Sequence, residues 1–511
     1  MRELDFIKKL YNGKNCYSDF MSKEEMDILR IDSYLDILIE KYLPNKILIL
    51  TGNPGDGKTY CIKSHQESVE KYNVYVNTDI NSLDSNGLNE LADKLIEIYR
   101  SNNSCIIAAN EYPFLCLQKI LKEKCKDLYL ELNDCKKHNL ILGNADHYTI
   151  KKCVVIDLNE RNLLYSTDDL KISNLLNKAI NYLEKCNLES SGYISVRNNI
   201  EHLKKNEVQS KIINMLNYVS ITGNHFVIRD ILGFVSYLLV SCLINDDNLL
   251  YYDALFTEDA DNKIIRDLQK FDPVLMSNPE IDELLWNGEI VDGWCFSKPS
   301  KNPCDLESSE EALMLFKSIK RQYYFENSQA NVKQFIDPYY QEIVYIIKHS
   351  DKRENIEKVI LAMNSMYLSN EVEKDNLLIW STNRFDVSIN YRAAVCTKSI
   401  YKDKFELLIP KKDNWMDSYE FIPSYLIFRL KNHINCSIKL DIDFMIVLLK
   451  ISRGYPISLV ESHYEQLING FMRKVENTDC CVDADQIIIA NRRNNDKLKM
   501  VIEDSIIKFN R

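Results

Sequence analysis

The sequence lacks any apolar stretch long enough to cross a membrane. The longest one, residues 231–244, covers about fourteen residues, whereas a membrane helix needs roughly twenty. It also begins directly after Arg229 and Asp230, two charged side chains. We therefore expect a buried helix here and no membrane association.

The features of secreted proteins are missing too. The 15 cysteines include no C-x-x-C pair, and the only close pair, Cys480 and Cys481, is adjacent in the chain, where bridging is rare. Residues 1–5 are charged and no apolar signal segment follows them, unlike a secretory leader. We therefore expect free thiols in a reducing, cytoplasmic environment.

An excess of positive charge is also absent. The formal net charge is -11, so any DNA contact would need a local basic patch or a partner protein. With 45% hydrophobic and 27% charged residues, the composition is that of a globular protein. A length of 511 residues predicts two to four domains. We find no internal repeat and no nuclease motif.

The most specific motif that is present is glycine-rich. The apolar run 47–50 predicts a buried parallel strand, and a helix-compatible segment begins at Lys58. Between them, Gly52 and Gly57 frame four residues and precede Lys58 and Thr59. This completes the G-x-x-x-x-G-K-[ST] pattern of a phosphate-binding loop in the strand–loop–helix context that it requires.

The residue types in this motif suit a nucleoside triphosphate. Glycines let backbone N–H groups approach phosphate oxygens, and the helix that follows presents its positive end. Lys58 would contact the β- and γ-phosphates of ATP, and Thr59 would offer its hydroxyl to Mg²⁺. The predicted nucleotide-binding residues are Gly52, Asn53, Pro54, Gly55, Asp56, Gly57, Lys58, Thr59 and Tyr60.

A second candidate group ends the apolar strand 105–109. In P-loop ATPases the strand next to the loop ends in acidic residues, whereas this strand ends in Asn110 and Glu111. Glu111 would act with Lys58 in catalysis, as the base toward the attacking water. The alternative is that Glu111 only caps the next helix. Because Asn110 is uncharged, metal binding would depend on Thr59, the phosphates and Asp79.

Polar residues that could sense the γ-phosphate follow the strand 153–158. Asp157, Asn159 and Asn162 are the candidates, and a loop held by its own side chains is an equal alternative. Residues 165–300 look helical and resemble the lid of AAA-type ATPases. Arg229 would reach the γ-phosphate from this lid, or it would form a structural ion pair with Asp230.

Strands that alternate with helices through residue 158 predict a parallel, three-layer α/β sheet. Ligands of such sheets lie at the carboxyl ends of the strands, where the glycine motif, Glu111 and Asp157 all fall. The fold class expected is a P-loop NTPase (AAA-like) domain with a helical lid and a mixed α+β C-terminal domain. The predicted segments are a helical 1–45, an ATPase core 46–165, a lid region 166–300 and a C-terminal domain 301–511.

Two further features of the sequence each allow two different roles. The segment 1–45 carries a capping-box pattern at Ser22 and Glu25 and could contact a base or simply pack, with packing as the default. Arg321 is a candidate finger toward a neighbouring subunit's nucleotide. A surface arginine is the expected outcome there.

Taken together, residues 52–59, 106–111 and 157–162 resemble the DptF (DndF) family, the ATPases of DNA phosphorothioation-dependent restriction. The segments 271–273 and 453–455 are also similar to that group. The resemblance implies a defence complex that restricts DNA lacking the sulfur mark. It implies partner proteins, one of them similar to a HerA-type helicase. DNA contact and any cutting would belong to partners, and a homo-oligomer stays open. The alternative is a nucleotide-gated scaffold or sensor (AAA/STAND-like) of another prokaryotic defence system, with slow turnover.

Overall fold

The structure is a computed structural model of the 511-residue chain. It describes residues 2–11, 21–31, 33–139, 141–142, 148–164, 171–245, 249–258, 260–294, 301–349, 353–368, 372–380, 393–411, 420–421, 423–478, 486–491, 496–503 and 506–510.

The chain divides into two compact units. Unit 1 comprises Met1–Asp337 and Lys412–Ile422, and unit 2 comprises Pro338–Lys411 and Pro423–Arg511. The finer partition into four segments stays a prediction.

Unit 1 contains a parallel sheet. Four strands of the described chain form it in the order β2-β3-β1-β5; they are β1 Ile47–Thr51, β2 Tyr75–Asn77, β3 Cys105–Ala108 and β5 Cys153–Asp157. Every residue of β1 is buried, as its continuous apolar sequence requires for a central parallel strand. Leu50 pairs with Ala108 on one side, and Thr51 pairs with Asp157 on the other. The carboxyl ends of these three strands therefore lie side by side, and the predicted α/β sheet is confirmed at this level.

Helices connect these strands and precede them. Their bounds are α1 Arg2–Tyr11, α2 Lys23–Leu29, α3 Tyr34–Tyr42, α4 Lys58–Ser64, α5 Gln66–Lys71, α6 Ser85–Arg100, α7 Glu111–Lys124 and α8 Lys126–Lys137. The capping box at Ser22 and Glu25 is present. The sequence after the glycine motif predicts one helix over residues 60–72. This prediction is wrong, because His65, with φ -106° and ψ 21°, separates α4 from α5.

The next part of unit 1 is helical, as predicted. Its helices are α9 Lys171–Leu183, α10 Ile194–Leu203, α11 Asn206–Ser220, α12 Ile228–Ile244, α13 Tyr251–Ala254, α14 Lys263–Leu268, α15 Pro279–Trp286 and α16 Ser309–Glu326. Residues 231–242 of α12 are all buried, which confirms the buried helix. None of the helices that the structure describes has the length and apolar character needed to span a bilayer.

Unit 2 is mixed, with antiparallel sheets. Its helices are α17 Pro338–Lys348, α18 Arg353–Ser365, α19 Ile442–Ser452 and α20 Ser462–Glu476. One sheet has the order β11-β10-β8 and another β14-β13-β12-β7-β6. The strands are β6 Asn376–Trp380, β7 Ala393–Tyr401, β8 Phe405–Leu408, β10 Tyr425–Leu430, β11 Ser437–Asp441, β12 Gln486–Asn491, β13 Lys497–Glu503 and β14 Ile506–Asn510. Two-residue strands, β4 Ile141–Leu142 in unit 1 and β9 Pro410–Lys411 in unit 2, complete the set.

Two expectations for unit 2 are corrected. The sequence predicts a final β-hairpin over residues 486–509, whereas the structure has a meander of three strands, β12, β13 and β14. Apolar residues recur through 497–510, so the sequence does not mark where β13 ends and β14 begins. The strand β7 was not predicted, although it is central in its sheet. Its apolar residues are interrupted by Thr397, Lys398 and Ser399, so the sequence lacks a continuous apolar signal.

Candidate functional site

The glycine loop, residues 52–57, carries the chain from β1 into α4. Gly52, Gly55 and Gly57 have φ values of 143°, 100° and 81°, in the region that favours glycine. At Gly57 space is restricted as well, because an added Cβ would lie 2.5 Å from Ile228 Cδ1. The loop therefore follows a path open to glycine, and it ends at the N-terminus of α4, where helical N–H groups lack intrahelical partners.

Lys58 is the first residue of α4, and its side chain closes the glycine loop. Only 7% of Lys58 is exposed. Its Nζ donates hydrogen bonds to Gly52 O at 3.0 Å and to Asn53 O at 2.7 Å. Burial lowers the pKa of Lys58, while nearby carboxylates, Asp56 most strongly, oppose that shift. The ammonium group is thus held at the mouth of the loop.

A cavity of about 550 Å³ opens beside the loop, a volume typical of small-molecule sites. Six of the nine predicted nucleotide-binding residues line it: Pro54, Gly55, Gly57, Lys58, Thr59 and Tyr60. Among the lining residues, the cations are Arg30, Lys58, Arg161 and Arg229. The acidic residues of the lining are Asp36 and Asp79, so cations outnumber carboxylates by four to two in a chain with a net charge of -11, which suits an anionic ligand.

Oxygen-bearing side chains from two strand ends border the same cavity. Thr59 Oγ1 donates to Thr78 O at 3.3 Å, just after β2. Asp79 accepts from Asn81 N at 3.0 Å, and Asn81 Oδ1 in turn accepts from Asn110 N at 3.1 Å. All five residues line the cavity. Within the described parts of the chain, no group of three or more His, Cys, Asp or Glu side chains could hold a metal ion alone.

Glu111 begins α7 but does not line the cavity. Its Oε2 accepts a hydrogen bond from Lys136 Nζ of α8 at 2.5 Å. Its Oε1 is buried and has no hydrogen-bond partner among the described residues. The charge of Glu111 still acts on the pKa of Lys58, which it raises. The carboxylate is therefore held by a lysine of α8 and lies outside the cavity lining.

The three sensor candidates at the end of β5 and just after it do not line the cavity. Asp157 accepts from Asn159 N at 3.1 Å. Asn162 is committed to the protein: its Nδ2 donates to Ser220 O at 2.8 Å, and its Oδ1 accepts from Leu164 N at 3.1 Å. Asn159 Oδ1 is buried with no hydrogen-bond partner in the described structure.

The predicted sensor that does line the cavity is Arg229, in the first turn of α12. The residues just before it pack against the glycine loop. A Cβ on Gly55 would lie 3.1 Å from Val227 Cγ2. His225 Nε2 lies 2.7 Å from Asp56 Oδ1. The helical region therefore meets the loop directly, through residues 225–229.

The sequence missed the far wall of the cavity. Residues from the N-terminal helices and the loop between them line it, among them Leu29, Arg30, Ile31 and Asp36. Arg161, which lies between two of the sensor candidates in the sequence, lines it as well. No local motif marks these residues, since only the fold brings them to the loop.

Asp36 is the carboxylate of this wall. It lies 3.6 Å from His65 Nε2 and 3.8 Å from Arg30 Nη2. Burial raises the pKa of Asp36, and His65 and Arg30 partly oppose that shift. Beside it, Tyr60 donates its hydroxyl to Met26 O at 3.4 Å, and burial raises the pKa of Tyr60 to about 12.

Comparisons with known proteins were negative. No family model matches this chain, and no curated protein or solved structure matches it. Its function therefore has to be inferred from the geometry of the site itself.

Proposed function

We propose that this chain is a P-loop ATPase, which binds ATP with Mg²⁺ in the cavity beside the glycine loop and hydrolyses it. Unit 1 would then be an AAA-like nucleotide-binding core with a helical lid. The observation that carries the proposal is the run from a buried parallel strand, through positive-φ glycines, to a helix that opens with Lys58 at a cavity of about 550 Å³.

The cations around the cavity support a triphosphate as the ligand. Lys58 and the first turn of α4 offer N–H donors at the mouth of the loop, and Arg229 adds a guanidinium from α12. Backbone donors at a helix N-terminus, combined with fixed cations, are the usual recognition of phosphate oxygens. The apolar side chains of Leu29, Ile31 and Leu232 leave a less polar wall for the rest of the nucleotide.

The donor set at the strand ends fits Mg²⁺. This ion prefers oxygen ligands, and it commonly takes one or two carboxylates together with phosphate oxygens and water. Thr59 and Asp79 would hold it, next to the amides of Asn81 and Asn110. When bound, Mg²⁺ would neutralise charge on the β- and γ-phosphates. A site of this kind would be incomplete without the nucleotide.

A second function, a nucleotide-gated scaffold or sensor with slow turnover, is favoured by one specific observation. Glu111 is paired with Lys136 at 2.5 Å and does not line the cavity. Asn110, which lines it, is uncharged and is neither a base nor a strong metal ligand. In this function ATP would be bound and released slowly, and the occupied state would be the signal.

The test of nucleotide binding is Lys58→Ala, with Lys71→Ala as its control. Lys71 is an exposed lysine at the end of α5. Loss of the ammonium group should weaken ATP binding by roughly a hundredfold, since charge-assisted contacts to two phosphates are removed. Titration calorimetry of the folded proteins measures both affinities. Equal ATP affinity for Lys58→Ala and the wild type would refute the proposal.

We further propose that the chain acts in an anti-phage restriction complex in the cytoplasm, with a HerA-like helicase among its partners and DNA held through them. The support is the resemblance of residues 52–59, 106–111 and 157–162 to the DptF family. The net charge of -11 agrees with partners supplying the DNA contact. Co-purification of a tagged chain with the products of neighbouring genes is the test. Recovery of the chain alone, under conditions that keep such complexes intact, would count against this context.

A further inference from the structure

A short segment of the helical region, residues 225–229, packs against the glycine loop. Cβ atoms added to Gly55 and Gly57 would meet Val227 Cγ2 at 3.1 Å and Ile228 Cδ1 at 2.5 Å. The segment therefore packs closely on both glycines, whose positive φ values already disfavour other residues. Any change in the shape of the loop has to displace the segment that lies on it.

A polar pair fixes the same contact. Asp56 is 4% exposed and does not line the cavity. Its Oδ2 accepts from Asn53 N at 2.6 Å, which braces the loop from within. Its Oδ1 lies 2.7 Å from His225 Nε2. Since an ionised carboxylate only accepts hydrogen bonds, Nε2 is the donor.

The segment is continuous with α12. Val227 N donates to Asp230 Oδ2 at 3.0 Å, which fixes the start of the helix. Arg229 follows within the first turn and lines the cavity beside Lys58. The position of the Arg229 backbone relative to the glycine loop is therefore set by the contacts of His225, Val227 and Ile228.

We propose that Asp56 and His225 are a positioning pair that holds the glycine loop and the start of α12 in register, so that Lys58 and Arg229 face the same terminal phosphate. This inference rests on the proposed nucleotide site, and the Asp56–His225 pair is what makes that site selective for a triphosphate. Neither side chain touches the ligand. The pair acts through the loop backbone and through Arg229, by the preorganisation that such sites require.

Two substitutions of His225 separate the hydrogen bond from bulk. His225→Leu removes the donor at similar volume, and His225→Gln keeps an N–H group near the position of Nε2. The matched control is His202→Leu, because His202 forms another histidine–carboxylate pair, with Glu326 at 3.0 Å, and does not line the cavity. Dissociation constants for ATP and ADP are measured on the full-length chain, alongside Tm without ligand.

We expect the wild type to prefer ATP over ADP, and His225→Leu to reduce that preference about tenfold, the cost of one misplaced charge-assisted contact. His225→Gln should restore most of the preference. His202→Leu should lower Tm without changing the preference for ATP over ADP. An unchanged ATP-to-ADP ratio in His225→Leu overturns the inference, and so does a wild type that binds both nucleotides equally.

Hydrogen–deuterium exchange gives a readout that does not need a variant. ATP should slow exchange of the amides at 226–230 in the wild type, and ADP should slow it less. Exchange that ATP leaves unchanged there overturns the inference. The failures are distinguishable: if Lys58→Ala does not weaken ATP binding, the nucleotide site itself is refuted. If Lys58→Ala weakens ATP binding but His225→Leu keeps the wild-type ATP-to-ADP ratio, only the positioning pair is refuted.

Discussion

At the scale of single residues, the partners of a buried cation show whether the cation has a structural role or is available to a ligand. The prediction that Arg321 is a surface arginine is wrong, because its side chain is only 15% exposed. Its guanidinium donates to Asp272 Oδ2 at 2.6 Å and to Asp253 Oδ1 at 3.0 Å. Lys58, in contrast, donates to backbone carbonyls and lines a cavity. The charge of Arg321 is neutralised by carboxylates within the protein, whereas Lys58 has only neutral carbonyl partners among the described residues and its charge remains for a ligand.

Glu111 is the residue that decides between the two candidate functions. Its carboxylate is held by Lys136 and its Oε1 is buried without a hydrogen-bond partner among the described residues. An unsatisfied buried oxygen is costly, which suggests a group that changes partner when the site is filled. A working ATPase requires Glu111 to leave Lys136 and reach the attacking water.

We predict that Glu111→Gln retains ATP binding but slows phosphate release by roughly a hundredfold, the usual contribution of a general base. The control is Glu123→Gln, an exposed residue of the same helix α7. Steady-state phosphate release, with and without DNA, is the measurement. Tight ATP binding with no release from the wild type would instead support the sensor.

At the scale of elements, side chains outside a helix set where it begins. The spacing of apolar residues predicts a helix over about residues 88–100. In the structure α6 starts at Ser85, because Asp84 Oδ1 accepts from Gly87 N at 2.8 Å. The buried face of α6, with Leu91 and Leu95, follows the predicted period. Periodicity thus identified the helix, and capping set its boundary.

Asp84→Ala should therefore destabilise unit 1 by about 1 kcal/mol, the usual cost of losing an N-cap side chain. Glu90→Ala, an exposed change within the same helix, should have a much smaller effect. Denaturant unfolding gives both values. ATP affinity should be unchanged, since Asp84 does not line the cavity. Equal stabilities for the two variants would contradict the capping role.

At the scale of the whole molecule, unit 1 is assembled from segments far apart in the sequence. Glu420 belongs to unit 1, in the short segment Lys412–Ile422, and the segments of the chain on either side of it belong to unit 2. It accepts from Tyr34 N at 2.9 Å and Arg161 Nε at 3.0 Å, and Lys171 Nζ lies 3.2 Å away. Burial alone raises the pKa of Glu420, but Arg161 and Lys171 together hold it below its usual value.

Glu420→Gln should destabilise the protein by about 3 kcal/mol at neutral pH, because the cations Arg161 and Lys171 lose their buried counter-charge. The pKa of Glu420 is depressed in the folded state, so its contribution is present above the unfolded value of 4.5 and is lost as pH falls through the folded pKa. The stability gap between wild type and variant should therefore shrink below pH 4.5. Unfolding curves from pH 7 to 3 test this, and a gap that does not change with pH would be inconsistent with it.

Much of unit 1 could be predicted from the sequence because the signals were local. The apolar strand 47–50, the glycine spacing and the lysine at 58 lie within a dozen residues, and so does the apolar face of each long helix. In unit 2 the strand β7 and the division of β13 from β14 could not be predicted. Their pairing depends on neighbouring strands rather than on a continuous apolar run.

The sequence by itself determined the parallel sheet of unit 1, the glycine loop at the end of β1 and the cation at its mouth, since each follows from adjacent residues and backbone sterics. Only the tertiary structure decided what surrounds them. It set Arg30, Asp36 and Arg161 along the far wall, tied His225 to Asp56, and paired Glu111 with Lys136. The two pairs join residues that are 25 and 169 positions apart in the chain, and no local sequence pattern encodes contacts over such separations. Chain packing creates them, and with them the surroundings of the glycine loop.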